Sequence, residues 1–77
     1  MKQYTIMGAH PGDGSVQLAE NALEAFAKHI ILDYDEDMTI KQMIKEIQKD
    51  IDAGYYDVIT EGNCTCYGDY EVKEIEG

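Results

Sequence analysis

Hydrophobic spacing is clearest between Thr39 and Gly54, where five apolar residues recur at the intervals of an amphipathic helix. They are Ile40, Met43, Ile44, Ile47 and Ile51. Thr39 followed by Gln42 forms the capping-box pattern of a helix N-terminus, and Gly54 suits the left-handed residue that follows a helix C-terminus. The pattern therefore predicts a helix that begins after Thr39 and ends before Gly54.

The C-terminal part of the chain alternates between polar and apolar residues, as β-strands do. Residues 55–61 and 70–75 are rich in β-forming side chains. They predict a terminal hairpin whose tip, residues 62–69, carries Cys64 and Cys66. Both faces of the final strand mix apolar residues with charges, which is typical of an edge strand.

In the first half of the chain, residues 4–7 predict a strand, and a turn follows it. The segment after this turn has two interpretations. In the favoured interpretation, residues 15–19 form the return strand, a short helix begins after Asn21, and residues 30–32 form a third strand. In the alternative, a single helix covers residues 15 to about 31, because its apolar residues also fit helical spacing.

Together these elements predict an α+β fold in one domain that covers residues 1–77. We expect a single antiparallel or mixed sheet of four to five short strands with two helices. The favoured order is ββαβαββ, and the alternatives are βαβαββ and βααββ. A core of this size supplies only about 3–5 kcal/mol of stability.

The net charge says more about function than the overall composition does. Sixteen acidic residues face six lysines, so the formal net charge is −10, although 44% apolar residues still indicate a globular chain. The charges within residues 39–53 cancel, so the whole excess lies outside the predicted helix. Such a charge repels nucleic acid and anionic membranes and attracts basic proteins. Without an apolar run long enough for a membrane span or a signal peptide, we expect a cytoplasmic protein.

The segment Ala9-His10-Pro11-Gly12-Asp13 resembles the Ala-His-Pro-Asp-Asp motif of zinc-dependent N-acetylglucosaminyl deacetylases over these five residues. The resemblance implies that His10 and Asp13 correspond to two metal ligands of that motif. Gly12, however, occupies the position of the catalytic aspartate, and those enzymes need a far longer domain. We therefore interpret the segment as a hairpin turn.

The segment Asp33-Tyr34-Asp35-Glu36-Asp37 places acids at alternate positions, like the opening of a calcium loop. The rest of that pattern fails, because Met38 stands where the loop needs glycine and Ile44 where it needs a bidentate glutamate. The segment is interpreted as a solvated loop that caps the next helix or as an acidic patch that binds a partner.

Cys64-Thr65-Cys66 offers two thiols one residue apart, which suits either zinc binding or a redox pair. Zinc normally takes about four ligands, and His10 and His29 do not lie at a recognised spacing from the cysteines. We therefore predict unreactive thiols at a turn, with no metal and no cofactor. A homodimer in which two chains share one ion through these cysteines stays open.

Four of the six tyrosines fall within the last 23 residues, where they are interleaved with acidic residues. Tyrosine offers rigid apolar area and a hydroxyl, while carboxylates meet the lysines and arginines of a partner. The candidate contact residues for a basic partner are Asp33, Tyr34, Asp35, Glu36, Asp37, Asp57, Glu61, Tyr67, Asp69, Glu71, Glu74 and Glu76.

An enzyme is not expected, because the sequence shows neither a nucleophile and base pair nor a ligand set. In size, charge and lack of a catalytic motif, the chain is similar to the small acidic anti-restriction and anti-CRISPR proteins of phages and mobile elements. The leading hypothesis is an inhibitor whose carboxylates occupy the phosphate-binding surface of a nuclease or another nucleic-acid-binding protein. The alternatives are a non-catalytic regulatory module or homodimer whose acidity serves solubility, and a domain that sequesters a small ligand.

Overall fold

A computed structural model describes residues 1–8, 12, 14–34 and 37–75, and this part of the chain forms two helices and five strands. The elements are β1 (Lys2–Met7), β2 (Ser15–Ala19), α1 (Ala22–Tyr34), α2 (Ile40–Asp52), β3 (Val58–Glu61), β4 (Cys64–Tyr67) and β5 (Tyr70–Ile75). The predicted α+β class and the numbers of strands and helices are confirmed. Among the described residues, neither helix is long and apolar enough to span a membrane.

All five strands form one antiparallel sheet in the order β2-β1-β5-β4-β3. β1 and β5 pair at its centre, with Gln3 opposite Ile75 and Met7 opposite Glu71. The prediction of β5 as an edge strand is therefore wrong. Its charged residues Glu71 and Lys73 are exposed on the face that the helices leave uncovered, so solvent accommodates them without a free edge.

The core lies between the two helices and the other face of the sheet. Phe26 of α1 is completely buried at its centre, where its ring stacks on that of Tyr67 with centroids 4.8 Å apart. The rings of Tyr56 and Tyr70 lie 5.7 and 5.0 Å away. The buried apolar residues are Tyr4, Ile6, Ala19, Ala25, Phe26, Ala27, Met43, Ile47, Tyr67 and Val72.

The helix ends follow the local chemistry of the sequence. The backbone N–H of Gln42 donates to Thr39 Oγ1 at 3.2 Å, and the Thr39 N–H donates to Gln42 Oε1 at 3.0 Å, which completes the predicted capping box of α2. Asn21 Oδ1 accepts from the Glu24 N–H at 2.9 Å and so caps α1. Gly54, just past α2, has the left-handed φ of +86° that glycine adopts without strain.

The predicted strand at residues 30–32 is wrong, because α1 continues through it to Tyr34. Ile30 and Ile31 pack against the core from this helix, so burial outweighs the weak strand preference of β-branched side chains. The single helix from residue 15 is also wrong, because residues 15–19 pair with β1. The observed order ββααβββ therefore matches none of the three predicted orders.

The predicted terminal hairpin is a three-stranded meander, because residues 64–67 of its expected tip form β4. Two-residue turns flank this strand on both sides, and their first residues, Gly62 and Gly68, have φ of +59° and +61°. Tight turns with positive φ match the twist of antiparallel strands. The extra strand changes the setting of both cysteines, which lie within the sheet and not on a loop.

The Thr39 cap gives a direct stability test. Replacing Thr39 with alanine leaves the Gln42 N–H without its side-chain acceptor, so we expect the free energy of unfolding to fall by about 1 kcal/mol. Thr39→Ser keeps the hydroxyl and should retain most of the stability. Urea denaturation followed by circular dichroism measures both variants. Equal stabilities for Thr39→Ala and Thr39→Ser would contradict the role of the hydroxyl.

Candidate functional site

One end of the sheet gathers several of the predicted contact residues. Asp33 and Tyr34 close α1, and the Tyr34 hydroxyl lies 3.3 Å from that of Tyr70 at the start of β5. The Gly68 N–H donates to the Asp57 carbonyl at 3.0 Å, which joins the α2–β3 loop to the β4–β5 turn. We call this region the acid-tyrosine end, and it comprises Asp33, Tyr34, Asp50, Tyr56, Asp57, Asp69 and Tyr70.

The surroundings at this end raise the pKa of two phenols. The hydrogen bond with Tyr34, followed by burial and the nearby Asp33 carboxylate, raises the pKa of Tyr70 well above its ordinary value. Burial and then the Asp50 carboxylate raise the pKa of Tyr56. Tyrosine hydroxyls are protonated at neutral pH in any case, and the raised pKa values extend to higher pH the range in which these two remain hydrogen-bond donors beside carboxylates that only accept.

The carboxylates of the acid-tyrosine end lack ion-pair partners within the described ranges. The described residues form two ion pairs, Lys2 with Glu74 at 3.5 Å and Lys28 with Glu24 at 3.6 Å. Both pairs lie outside the acid-tyrosine end. The side chains of Asp33, Asp57 and Asp69 are exposed. Their charges are therefore available to a partner, not neutralised within the described chain.

The remaining predicted contact residues do not join this group. Glu61 and Glu71 project from the uncovered face of the sheet, whereas Glu74 lies opposite Tyr4 on the helix-covered face and pairs with Lys2. Asp37 is exposed just before α2. Of the other predicted positions, Asp35, Glu36 and Glu76, together with His10 and Asp13 of the deacetylase-like motif, lie outside the described residues.

Tyr67 belongs to the core, although the sequence suggested a contact role for it. Its side chain is only 5% exposed and stacks on Phe26. Burial raises the pKa of its phenol. The sequence analysis placed Tyr67 in a hairpin tip, but it lies in strand β4, whose alternate residues face the helices.

His29 is also placed away from the cysteines. It is buried in α1, where its Nδ1 lies 2.7 Å from Ser15 Oγ and its ring meets the edge of Tyr70. These contacts lie on the helix-covered side of the sheet, whereas Cys64 and Cys66 lie on the uncovered face. His29 therefore packs α1 against β2 and is separated from the thiols by the sheet itself.

The uncovered face of the sheet is a second surface of interest, and neither helix packs on it. Its exposed apolar residues are Met7, Val16, Leu18, Ile59 and Ile75. Cys64 and Cys66 are half-buried among the polar residues of the same face. Exposed apolar area of this kind is typical of interaction surfaces. The homodimer that the sequence analysis left open stays a prediction.

On this face, Cys64, Cys66 and Glu71 bring their donor atoms within 4.8 Å of one another. The sequence interpretation missed the group because it assigned the cysteines to a loop. The sequence did contain a signal for this group, because Cys64 and Cys66 are two residues apart and such residues share a face of a strand. Burial, followed by the neighbouring Cys66, raises the pKa of the Cys64 thiol, so this thiol is protonated at neutral pH and is a poor nucleophile.

Comparison of the chain with protein-family models, with curated proteins and with solved structures finds no match. The roles of its residues therefore follow from their own geometry and charge.

Proposed function

We propose that the protein is a small acidic inhibitor that binds a basic nucleic-acid-binding protein, such as a nuclease, where that target binds phosphates. The observation that carries the proposal is the acid-tyrosine end, where the Asp33 carboxylate lies near Tyr70, the Asp50 carboxylate lies near Tyr56, and the Asp57 backbone is joined to the turn that carries Asp69. An origin in a phage or another mobile element, with an anti-restriction or anti-CRISPR role, belongs to the same proposal.

The chemistry of the acid-tyrosine end suits a surface that normally holds a phosphate backbone. Exposed carboxylates of Asp33, Asp57 and Asp69 accept hydrogen bonds from lysine and arginine, as phosphate oxygens do. The rings of Tyr34 and Tyr56 add rigid area that buries on contact. The net charge of −10 accelerates encounter with a basic target and makes the association sensitive to salt.

The proposal predicts that three carboxylates dominate binding. The triple variant Asp33→Asn, Asp57→Asn and Asp69→Asn should bind the target at least about tenfold more weakly, equivalent to about 1.4 kcal/mol. The matched control neutralises three exposed acids elsewhere, Glu20→Gln, Glu46→Gln and Asp52→Asn, and should bind like the native chain. Both triple variants have the same net charge, so the comparison separates position from total charge.

The target is found by capture on the immobilised protein from nuclease-treated host-cell lysate, at about 50 and about 300 mM salt. We expect a nucleic-acid-binding protein that added DNA or RNA displaces and that the higher salt releases. The affinities of both triple variants for this protein are then measured by calorimetry. Equal weakening by both variants, or a captured protein that nucleic acid does not displace, would refute the phosphate-competition mechanism.

A further inference from the structure

We propose that Cys64, Cys66 and Glu71 form a binding site for a thiophilic divalent cation of the zinc class on the uncovered face of the sheet. Both cysteines lie on β4 two residues apart, so they project from the same face. Antiparallel pairing with β5 places Glu71 directly opposite Cys66 and Lys73 opposite Cys64. The register of two strands thus assembles three donors from a short stretch of chain.

The distances between the donors suit a tetrahedral ion. Cys64 Sγ lies 3.9 Å from Glu71 Oε1, and all three donor atoms lie within 4.8 Å of one another. Zinc bonds of about 2.3 Å to sulfur and about 2.0–2.2 Å to oxygen place neighbouring tetrahedral ligands roughly 3.5–3.8 Å apart. Small side-chain rotations therefore bring the donors onto one ion while the backbone stays in place.

The type of donor selects the cation. Two thiolates and one carboxylate favour zinc over calcium or magnesium, which take oxygen ligands. The donors line a cavity of about 320 Å³ together with Ile59, Glu61, Asn63 and Lys73. Three protein ligands leave one tetrahedral position, which water fills in sites of this kind.

Proton release accompanies binding at such a site. The thiols must become thiolates to bind the cation, so binding releases protons and the apparent affinity should increase as pH rises.

The site is independent of the acid-tyrosine end. Cys64, Cys66 and Glu71 project from the uncovered face, whereas Tyr34 and Tyr70 meet on the helix-covered side. Substitutions at the three donors therefore leave the aspartates and tyrosines of the proposed inhibitor surface in place.

Cobalt(II) is the probe, since thiolate ligation gives it an intense ultraviolet charge-transfer absorption. We expect the reduced, metal-free full chain to bind one cobalt ion and zinc to displace it. Cys64→Ser and Cys66→Ser should each lower zinc affinity by about a hundredfold or more, and Glu71→Gln by about tenfold, since even outer-shell partners of a metal are worth 10–100-fold. Glu74→Gln is the matched control, because it removes the same charge from the helix-covered face of the same strand.

Circular dichroism establishes that each variant is folded before its affinity is measured. Serine is close to cysteine in size and both cysteines are only half-buried, so we expect folded proteins. The proposal is overturned if the native chain shows no thiolate-to-cobalt absorption. It is also overturned if a variant with both Cys64→Ser and Cys66→Ser binds zinc as tightly as the native chain. The same holds if Glu74→Gln weakens zinc binding as much as Glu71→Gln does.

Discussion

Phe26→Ala is expected to unfold most of the domain at room temperature. The Phe26 side chain is completely buried and contacts the rings of Tyr56, Tyr67 and Tyr70, which come from three different parts of the chain. Its removal leaves a cavity that the surrounding rings fill only partly, at a cost of about 3–5 kcal/mol. A single core of this size supplies about 3–5 kcal/mol in total, so the loss matches the whole stability.

Urea denaturation followed by circular dichroism measures this effect against two further variants. Phe26→Leu keeps most of the buried volume and should remain folded, with intermediate stability. Leu32→Ala removes a side chain that is 68% exposed on the same helix and should change the free energy of unfolding by less than about 0.5 kcal/mol. A native-like cooperative transition in Phe26→Ala would show that the aromatic cluster does not hold the core together.

Raising the pH above about 10 should also remove most of the stability, because an unfolded chain releases its phenol protons near that pH. Burial raises the pKa of Tyr56 and Tyr67, and the hydrogen bond with Tyr34 raises that of Tyr70. Groups whose pKa is higher in the folded state stabilise it below the unfolded pKa and lose that contribution as pH rises. Loss of lysine charge in the same range deepens the negative charge and adds repulsion.

Circular dichroism and phenolate absorption, recorded together between about pH 8 and pH 12, test this prediction. Below about pH 9 the free energy of unfolding should not depend on tyrosine ionisation, and above about pH 10 it should fall steeply. Tyr70→Phe removes one of the shifted phenols and should make the fall less steep. Tyr55→Phe is the control, because Tyr55 is highly exposed. Equal slopes for the two variants would contradict the role assigned to Tyr70.

Local sequence signals predicted the local parts of this fold. The apolar spacing of residues 40–51 and the pair Thr39 and Gln42 determine α2 and its cap without reference to the rest of the chain. Residues 30–32 show the limit of such signals, because the β-branched side chains of Ile30 and Ile31 favour a strand in isolation. Packing of Ile30 and Ile31 on the core stabilises the helical conformation of this segment. That packing depends on elements distant in sequence.

Four of the seven residues of the acid-tyrosine end were predicted from the sequence, whereas Asp50, Tyr56, Tyr70 and the arrangement of the group were not. Composition identified Asp33, Tyr34, Asp57 and Asp69, yet their proximity depends on how α1 packs against the β4–β5 turn. The cysteine and glutamate group required the register of β4 against β5. A single sequence does not reveal which distant segments pair with each other. The sequence therefore predicted candidate residues, and only the structure shows which of them share a surface.

The central pairing of β1 with β5 has a consequence for how the nascent chain folds. Thr5 Oγ1 donates to the carbonyl of Lys73, 68 residues later, so this pairing closes a very long loop. Until β5 has been synthesised, β1 lacks one neighbour and Phe26 lacks the ring of Tyr70. Because contacts between residues far apart in sequence form slowly, we expect this pairing to form later than the three local hairpin pairings of the sheet. A chain that has not yet added β5 exposes an unpaired edge of β1.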